Sequence, residues 1–169
     1  MGSRTYSFDA NMLLADGAAA ATATGVTTVG GTAAVIDLGG DQGRSPVLTA
    51  RIDAYLIIFL QAITTTNTND VYTLTLQGSN DPAFGTGNVQ NLGSMDFGNT
   101  TARLGGALTT AAPLGSASFG QEPAGCMFEL GFTNEQNDVM LQFLRLHATI
   151  AGTAASIQFS AFVAVTPEP

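Results

Sequence analysis

Alternation of apolar and polar residues constrains this chain more than any other feature, and it is clearest at 70–84 (DVYTLTLQGSNDPAF). Tyr72, Leu74 and Leu76 fall on one side of an extended chain, with threonine and glutamine on the other, which is typical of a half-buried β-strand. The following Gly-Ser-Asn-Asp-Pro ends the strand, because these residues favour turns and proline cannot continue a ladder. Phe84 is then expected to act as an apolar plug just beyond the turn. A strand closed by a polar turn is a scaffold and holds no group able to do chemistry alone.

Similar patterns recur along the chain, and none has the period of an amphipathic helix. Strands are predicted at 33–38, 47–64, 71–77, 88–97 with a kink at Gly93, 101–104, 126–132, 139–151 and 156–165. Residues 55–60 are apolar on both faces, which indicates a strand covered on both sides. If the strand at 47–64 pairs with that at 71–77, the two form a hairpin, and the last two strands are predicted to form a hairpin around Gly152. About eight strands without a helix predict an all-β, jelly-roll or Greek-key β-sandwich.

The 169 residues are interpreted as a single domain, 1–169, with three irregular parts. Residues 1–16 form an extended N-terminal arm, which could be the first strand or a segment that reaches onto a partner. Residues 98–125 are rich in small side chains and predict a long excursion loop. Residues 166–169 (TPEP) predict a flexible tail. The arm carries the apolar anchors Tyr6, Phe8, Met12, Leu13 and Leu14.

Composition narrows the class of partner. Charged residues make up only 11 % of the chain, against roughly 25 % in soluble domains, and uncharged polar side chains are buried against neighbours at less cost than ions. This low charge suits a protein packed against other subunits, and it suits an ordinary β-domain equally well.

The net charge is −8, with five arginines and no lysine, so neither nucleic acid nor an anionic membrane is expected as a partner. No signal peptide is evident and the longest apolar run is too short to cross a bilayer, so we expect a soluble protein made in a cytoplasm.

The sequence contains few residues in a pattern typical of catalysis or metal binding. His147 is the single histidine and lies mid-strand without a nucleophile motif, so the protein is not expected to be an enzyme. Cys126 stands alone, which leaves neither a disulfide framework nor a thiolate metal cluster. Asp53, Asp96 and Glu129 are the strand carboxylates that could form a glycosidase-type pair, although any such pair on a sheet is a weak signal.

Calcium is the remaining candidate metal, because oxygen atoms of loop residues can bind it. Asn67, Asn69 and Asp70 form one candidate cluster, and Asn80 and Asp81 form another. Neither has the carboxylate density of a tight site, and Asn and Asp are ordinary turn residues. No metal and no cofactor are therefore expected.

Three segments carry a resemblance to a known family: TYSFDANMLLADGAA at 5–19, VYTLTLQGSNDPAF at 71–84 and FLRLHATIAGTAASIQFSAFVA at 143–164. Together they resemble the capsid cement (decoration) proteins of tailed bacteriophages, in particular the jelly-roll cement protein of short-tailed phages. The resemblance implies a structural virion protein, assembled in the host cytoplasm, on the outer surface of a capsid of HK97-fold major capsid protein. It also implies a homo-oligomer, dimer or trimer, that clamps neighbouring capsomers. The arm anchors and the 98–125 loop are the expected contacts.

A rival interpretation is a carbohydrate-binding or adhesin-like β-sandwich on a virion surface. Sugar sites usually present aromatic platforms, often tryptophan, and this chain has no Trp. Two of its three tyrosines, Tyr55 and Tyr72, fall in predicted core strands. These observations favour the capsid protein over the sugar-binding one.

Overall fold

The computed structural model describes residues 6–39, 51–64, 67, 69–98 and 125–165. Within them the only helical element is a 3-10 turn at Ala10–Met12. Thirteen strands follow it: β1 Leu13–Asp16, β2 Gly25–Val26, β3 Thr28–Val29, β4 Thr32–Ala33, β5 Ile36–Asp37, β6 Asp53–Ile63, β7 Val71–Ser79, β8 Gln90–Gly98, β9 Met127–Thr133, β10 Glu135–Gln136, β11 Val139–Met140, β12 Phe143–Ala151 and β13 Ile157–Val165. The predicted strand at 101–104, the interior of the 98–125 loop and the tail lie outside the described residues.

Two antiparallel sheets make up the fold. Sheet I has the order β1-β13-β6-β9, and sheet II has the order β2-β12-β7-β8, with β5 also paired to β12. Two small hairpins, β3-β4 and β10-β11, stand beside them. Buried apolar side chains of both sheets form one core cluster. The prediction of an all-β sandwich is therefore confirmed.

The core is built by the alternation read from the sequence. Strand β6 contributes Leu56, Ile58 and Leu60, and strand β7 contributes Tyr72, Leu74 and Leu76, all 0 % exposed. The Tyr72 hydroxyl is satisfied within this apolar setting, because it donates to the Thr64 carbonyl and accepts from the Ser156 N–H. Phe84 is buried, as expected of a plug beyond the turn.

The hairpin predicted for the last two strands is wrong, and the strands at 47–64 and 71–77 do not pair either. Strands β6 and β7 lie in different sheets, and so do β12 and β13. Alternation identifies the face that a strand buries, and turn residues identify a reversal of the chain. Neither signal distinguishes a hairpin from a connection that crosses from one sheet to the other, since both bury the same faces.

The two crossing connections meet at one end of the sandwich, where Gly152 lies against Asp70. Gly152 has φ +137°, and a Cβ there would lie 2.2 Å from Asp70 Oδ1 and 2.8 Å from its Cα. The neighbouring Asn69 side-chain amide donates to Thr153 Oγ1 at 3.2 Å. Glycine is thus required for both conformation and space.

Gly152→Ala is expected to destabilise the protein by about 3 kcal/mol, because backbone strain and a clash with buried backbone add together. Gly30→Ala is the matched control, since Gly30 also has positive φ (+58°) but no atom within 4 Å of a Cβ. The control should cost only about 1–2 kcal/mol. Denaturant unfolding measures both, and equal losses would show that the contact with Asp70 is unimportant.

One strand is irregular where a kink was predicted, and another departs from its predicted course. In β8, Leu76 pairs with Gly93 and Gln77 with Asn91, so Leu92 forms a bulge at the kink predicted for Gly93. The predicted strand at 139–151 is divided into β11 and β12. Asn134, which is fully buried, accounts for the division, since it exchanges hydrogen bonds with Leu141: the Leu141 N–H donates to the Asn134 carbonyl, and Asn134 Nδ2 donates to the Leu141 carbonyl.

Candidate functional site

The outer face of sheet II is a polar ladder. Thr73 Oγ1 donates to Asp96 Oδ1 at 2.7 Å, and Thr75 and Ser94 share a hydroxyl hydrogen bond of 3.0 Å. A third rung runs from β12, where the Arg145 Nε donates to Gln77 Oε1 at 2.9 Å. Cross-strand polar pairs of this kind are typical of a sheet face turned to solvent.

The outer face of sheet I is apolar, in contrast. Because Leu56 and Ile58 point into the core, their neighbours along β6 point outward. Cross-strand partners from β9 and β13 extend this surface. We call it the apolar face after its apolar residues, which are Tyr55, Ile57, Phe59, Met127, Phe162 and Ala164. Two polar residues lie on the same side, Glu129 opposite Ile57 and Ser160 opposite Phe59.

Part of the apolar face is covered and part is open. Ile57 is only 1 % exposed although it faces away from the core, whereas Phe59 is 41 % and Met127 48 % exposed. Residues 55–60 are therefore apolar on both sides for two different reasons. One side builds the core and the other builds this surface, where exposed aromatic and Met side chains mark an interaction site.

The N-terminal arm lies across the apolar face. The Tyr6 and Tyr55 rings have centroids 6.0 Å apart, and the Phe8 ring meets Phe162 edge-on at 5.2 Å. Phe8 itself remains 59 % exposed. The Asp9 carboxylate then accepts from the Asn11 N–H at 2.9 Å and caps the 3-10 turn before β1. The arm thus adds an exposed aromatic side chain to the surface that it covers.

The five predicted contact residues occupy different environments. Phe8 is exposed and Tyr6 is half-buried, both over sheet I. Met12 packs against the core cluster, and Leu13 is half-buried opposite Phe162 in β13. Leu14 is 0 % exposed inside the core, where it cannot reach a partner of the folded protein. The arm is therefore both the first strand and a surface segment.

Sequence reasoning missed two members of the apolar face, Phe59 and Met127. Phe59 was assigned to a strand covered on both sides, and the alternation at 126–132 left Met127 on the unassigned face. The available signal was the run of residues 55–60, which is apolar on both faces. Such a run looks the same in the sequence whether its second face is covered by the rest of the protein or exposed to solvent.

The candidate catalytic carboxylates are not brought together. Asp96 lies on sheet II, while Asp53 and Glu129 lie on sheet I. Glu129 pairs with Ile57, four residues along β6 from Asp53, which corresponds to about 13 Å. Glycosidase carboxyl groups stand about 5–9.5 Å apart. Asp53 instead accepts from Arg51 at 3.4 Å.

His147 lies on the outer face of sheet II, opposite Thr75. Its pKa is lowered, first by partial burial and then by the charge of Arg145. Among the residues that the structure describes, no three His, Cys, Asp or Glu side chains are grouped to hold a metal. In the same part of the chain, no helix has the length and apolarity needed to cross a membrane.

The two candidate calcium clusters are turns whose carboxylates take amide donors. Asp70 Oδ2 accepts from the Asn67 N–H at 3.1 Å and from its side-chain amide at 3.3 Å. Asp81 accepts the Ala83 N–H on one oxygen and the Gly85 N–H on the other, both at 2.9 Å. These contacts are the turn chemistry expected from the sequence.

The Asp81 turn should weaken on acidification. The N–H groups of Ala83 and Gly85 hold the pKa of Asp81 below its usual value of 3.8. Because the pKa is lower in the folded state, the stabilisation is present above pH 3.8 and is lost as pH falls through the folded pKa. Asp81→Asn should therefore lower Tm at neutral pH and flatten the acid limb of the profile of Tm against pH. An acid limb unchanged from that of the parent protein would contradict this assignment.

Comparison with known proteins identifies no relative of this chain. No protein-family model, no curated protein and no solved structure matches it. The function must therefore be argued from the chain and its geometry.

Proposed function

We propose that the protein is a structural virion protein that binds the outer surface of a phage capsid and stabilises contacts between major capsid protein subunits. The observation that carries the proposal is the apolar face of sheet I with the arm across it. Phe8, Phe59 and Met127 are each at least 40 % exposed there, whereas sheet II carries a polar ladder. A sandwich with one such face is built to lie on another surface.

We also infer that the sandwich is a jelly roll. The strand orders β1-β13-β6-β9 and β2-β12-β7-β8 place the first and last strands side by side. They also put β6 and β7, β8 and β9, and β12 and β13 in different sheets, while β7 and β8 pair within sheet II. Two Greek keys wound together produce this interleaving. The inference agrees with the resemblance of the three sequence segments to jelly-roll cement proteins.

The chemistry of the apolar face suits a contact with folded protein subunits. Apolar and aromatic side chains contribute binding free energy by leaving water. Charged residues make up only 11 % of the chain, which limits the cost of burying ions at a contact, although Glu129 lies on this side of sheet I. The proposed partner is an HK97-fold major capsid protein. The proposed location is the outer capsid surface, after assembly in the host cytoplasm.

Binding is proposed to be additive. A homo-oligomer, dimer or trimer, that touches several capsid subunits gains effective concentration with each further contact. A modest affinity at each apolar face is then sufficient to hold neighbouring capsomers together against internal pressure.

Co-sedimentation with expanded capsid shells that lack the protein tests the proposal. Saturable binding at a fixed ratio to the major capsid protein is expected, and the ratio identifies the symmetry axes occupied. Absence of binding by folded protein to expanded shells would overturn it.

A further inference from the structure

A polar cleft opens beside the end of β7, and none of its lining residues belongs to the apolar face. Its volume is about 470 Å³, and it lies between the turn that follows β7 and the β10-β11 hairpin. Most of its lining side chains are neutral amides, joined by the exposed aliphatic Val139: Asn80, Asn88, Gln90, Gln136, Asn137 and Val139. No Arg or His is among its lining residues.

The wall after β7 is held rigidly by its own hydrogen bonds. Both oxygens of Asp81 accept backbone N–H groups, and Asn80 Oδ1 accepts the Gln142 N–H at 2.9 Å. Phe84 has φ +51° and is buried, with the Arg145 guanidinium 4.2 Å from its ring centroid. A buried aromatic residue in this conformation is strained and persists only where its surroundings fix it.

The opposite wall is a tight hairpin. Gln136 pairs with Val139, and the two residues between them, Asn137 and Asp138, have φ +50° and +62°. This is the geometry of a two-residue turn with positive φ at both positions. Gln136 is anchored to β8 because its Nε2 donates to the Asn91 carbonyl at 3.2 Å. The cleft is therefore preorganised, with little conformational entropy to lose on binding.

We propose that this cleft binds a neutral saccharide. An amide side chain carries two N–H donors and two acceptor lone pairs, which match sugar hydroxyl groups that also donate and accept. Asn80 and Gln136 each use part of this capacity in the bonds described above, and the remaining donors and acceptors of the lining amides can bind a ligand. The volume falls within the range of small-molecule sites. Val139, 49 % exposed, supplies an aliphatic patch for the C–H face of a sugar ring.

The same lining disfavours other ligands. Anionic sugars and phosphates would meet Asp81 without a cation among the lining residues. A peptide needs pockets for its side chains or a sheet edge for its backbone, and the cleft offers only Val139 and Leu141 as apolar lining. This function is independent of capsid binding, because the cleft and the apolar face use different residues.

Ligand-observed NMR with methyl glycosides of glucose, galactose, mannose and N-acetylglucosamine, and with maltose and lactose, tests the proposal. Sialyllactose and glucuronic acid serve as anionic comparators. At least one neutral probe is expected to bind with a Kd on the order of a millimolar. The double variant Gln90→Ala, Asn137→Gly should weaken binding about tenfold through lost hydrogen bonds, since glycine keeps the positive φ at 137.

Asn11→Ala is the matched control, because it removes an exposed amide outside the cleft and should leave saccharide binding unchanged. Each single cleft variant is measured as well, with circular dichroism to confirm folding. The proposal is overturned if no probe binds, if only the anionic probes bind, or if the double variant binds as the parent does. Loss of shell binding by the cleft variants without any saccharide binding would instead assign the cleft to a peptide of the capsid.

Discussion

Phe59→Asp is expected to weaken binding to capsid shells by at least about thirtyfold, or 2 kcal/mol, for each contact made. Phe59 lies on the open part of the apolar face and is 41 % exposed. A carboxylate there would have to leave water without a partner when the face meets the capsid. In an oligomer every subunit carries the change, so the losses combine and binding should become undetectable. A co-sedimentation isotherm measures the effect.

Thr149→Asp is the matched control for that variant. Thr149 is exposed on β12 of sheet II, opposite Thr73 of the polar ladder, so the substitution adds the same charge to the other side of the sandwich. It should bind shells with the parent affinity. If the two variants lose affinity equally, net charge rather than the apolar face controls binding.

Removal of residues 1–14 is expected to abolish folding, whereas removal of residues 1–8 should leave a folded protein that binds shells weakly. The longer deletion removes Leu14, which is 0 % exposed in the core, and Leu13, which pairs with Phe162. Loss of a buried leucine side chain alone costs about 2–5 kcal/mol, a large share of the roughly 5–15 kcal/mol that stabilises a domain. The shorter deletion removes Tyr6 and Phe8, whose rings contact Tyr55 and Phe162 on the outer surface of sheet I.

Circular dichroism with thermal melting separates the two truncations, and co-sedimentation then applies to the shorter one. A protein lacking residues 1–14 that melts like the parent would show that β1 is dispensable. A protein lacking residues 1–8 that binds shells with the parent affinity would remove the arm from the contact.

Much of the fold was predictable because its signals are local. The alternation at Tyr72, Leu74 and Leu76 depends only on the geometry of an extended chain, and all three side chains are buried as predicted. The bulge next to Gly93 was likewise marked by the residue that allows it. Local patterns determine which face of a strand is buried.

Strand partners and surface sites were not predictable in the same way. The turn at Gly152 has the sequence of a hairpin turn, but Gly152 packs closely against Asp70, a residue distant in sequence. The proposed contact surface combines Phe59 and Met127 of the apolar face with Phe8 of the arm, which come from three separate segments. The cleft likewise combines residues of two segments. Such sites arise from tertiary packing, so no single stretch of sequence indicates them.

A cryo-electron-microscopy reconstruction of expanded shells saturated with the protein would show which face of the sandwich meets the capsid. We expect density in which sheet I faces the major capsid protein, with Phe59, Met127 and the arm at the contact and the polar ladder of sheet II turned to solvent. Density in which sheet II or the cleft end of the sandwich lies against the shell, with the apolar face exposed, would contradict this expectation.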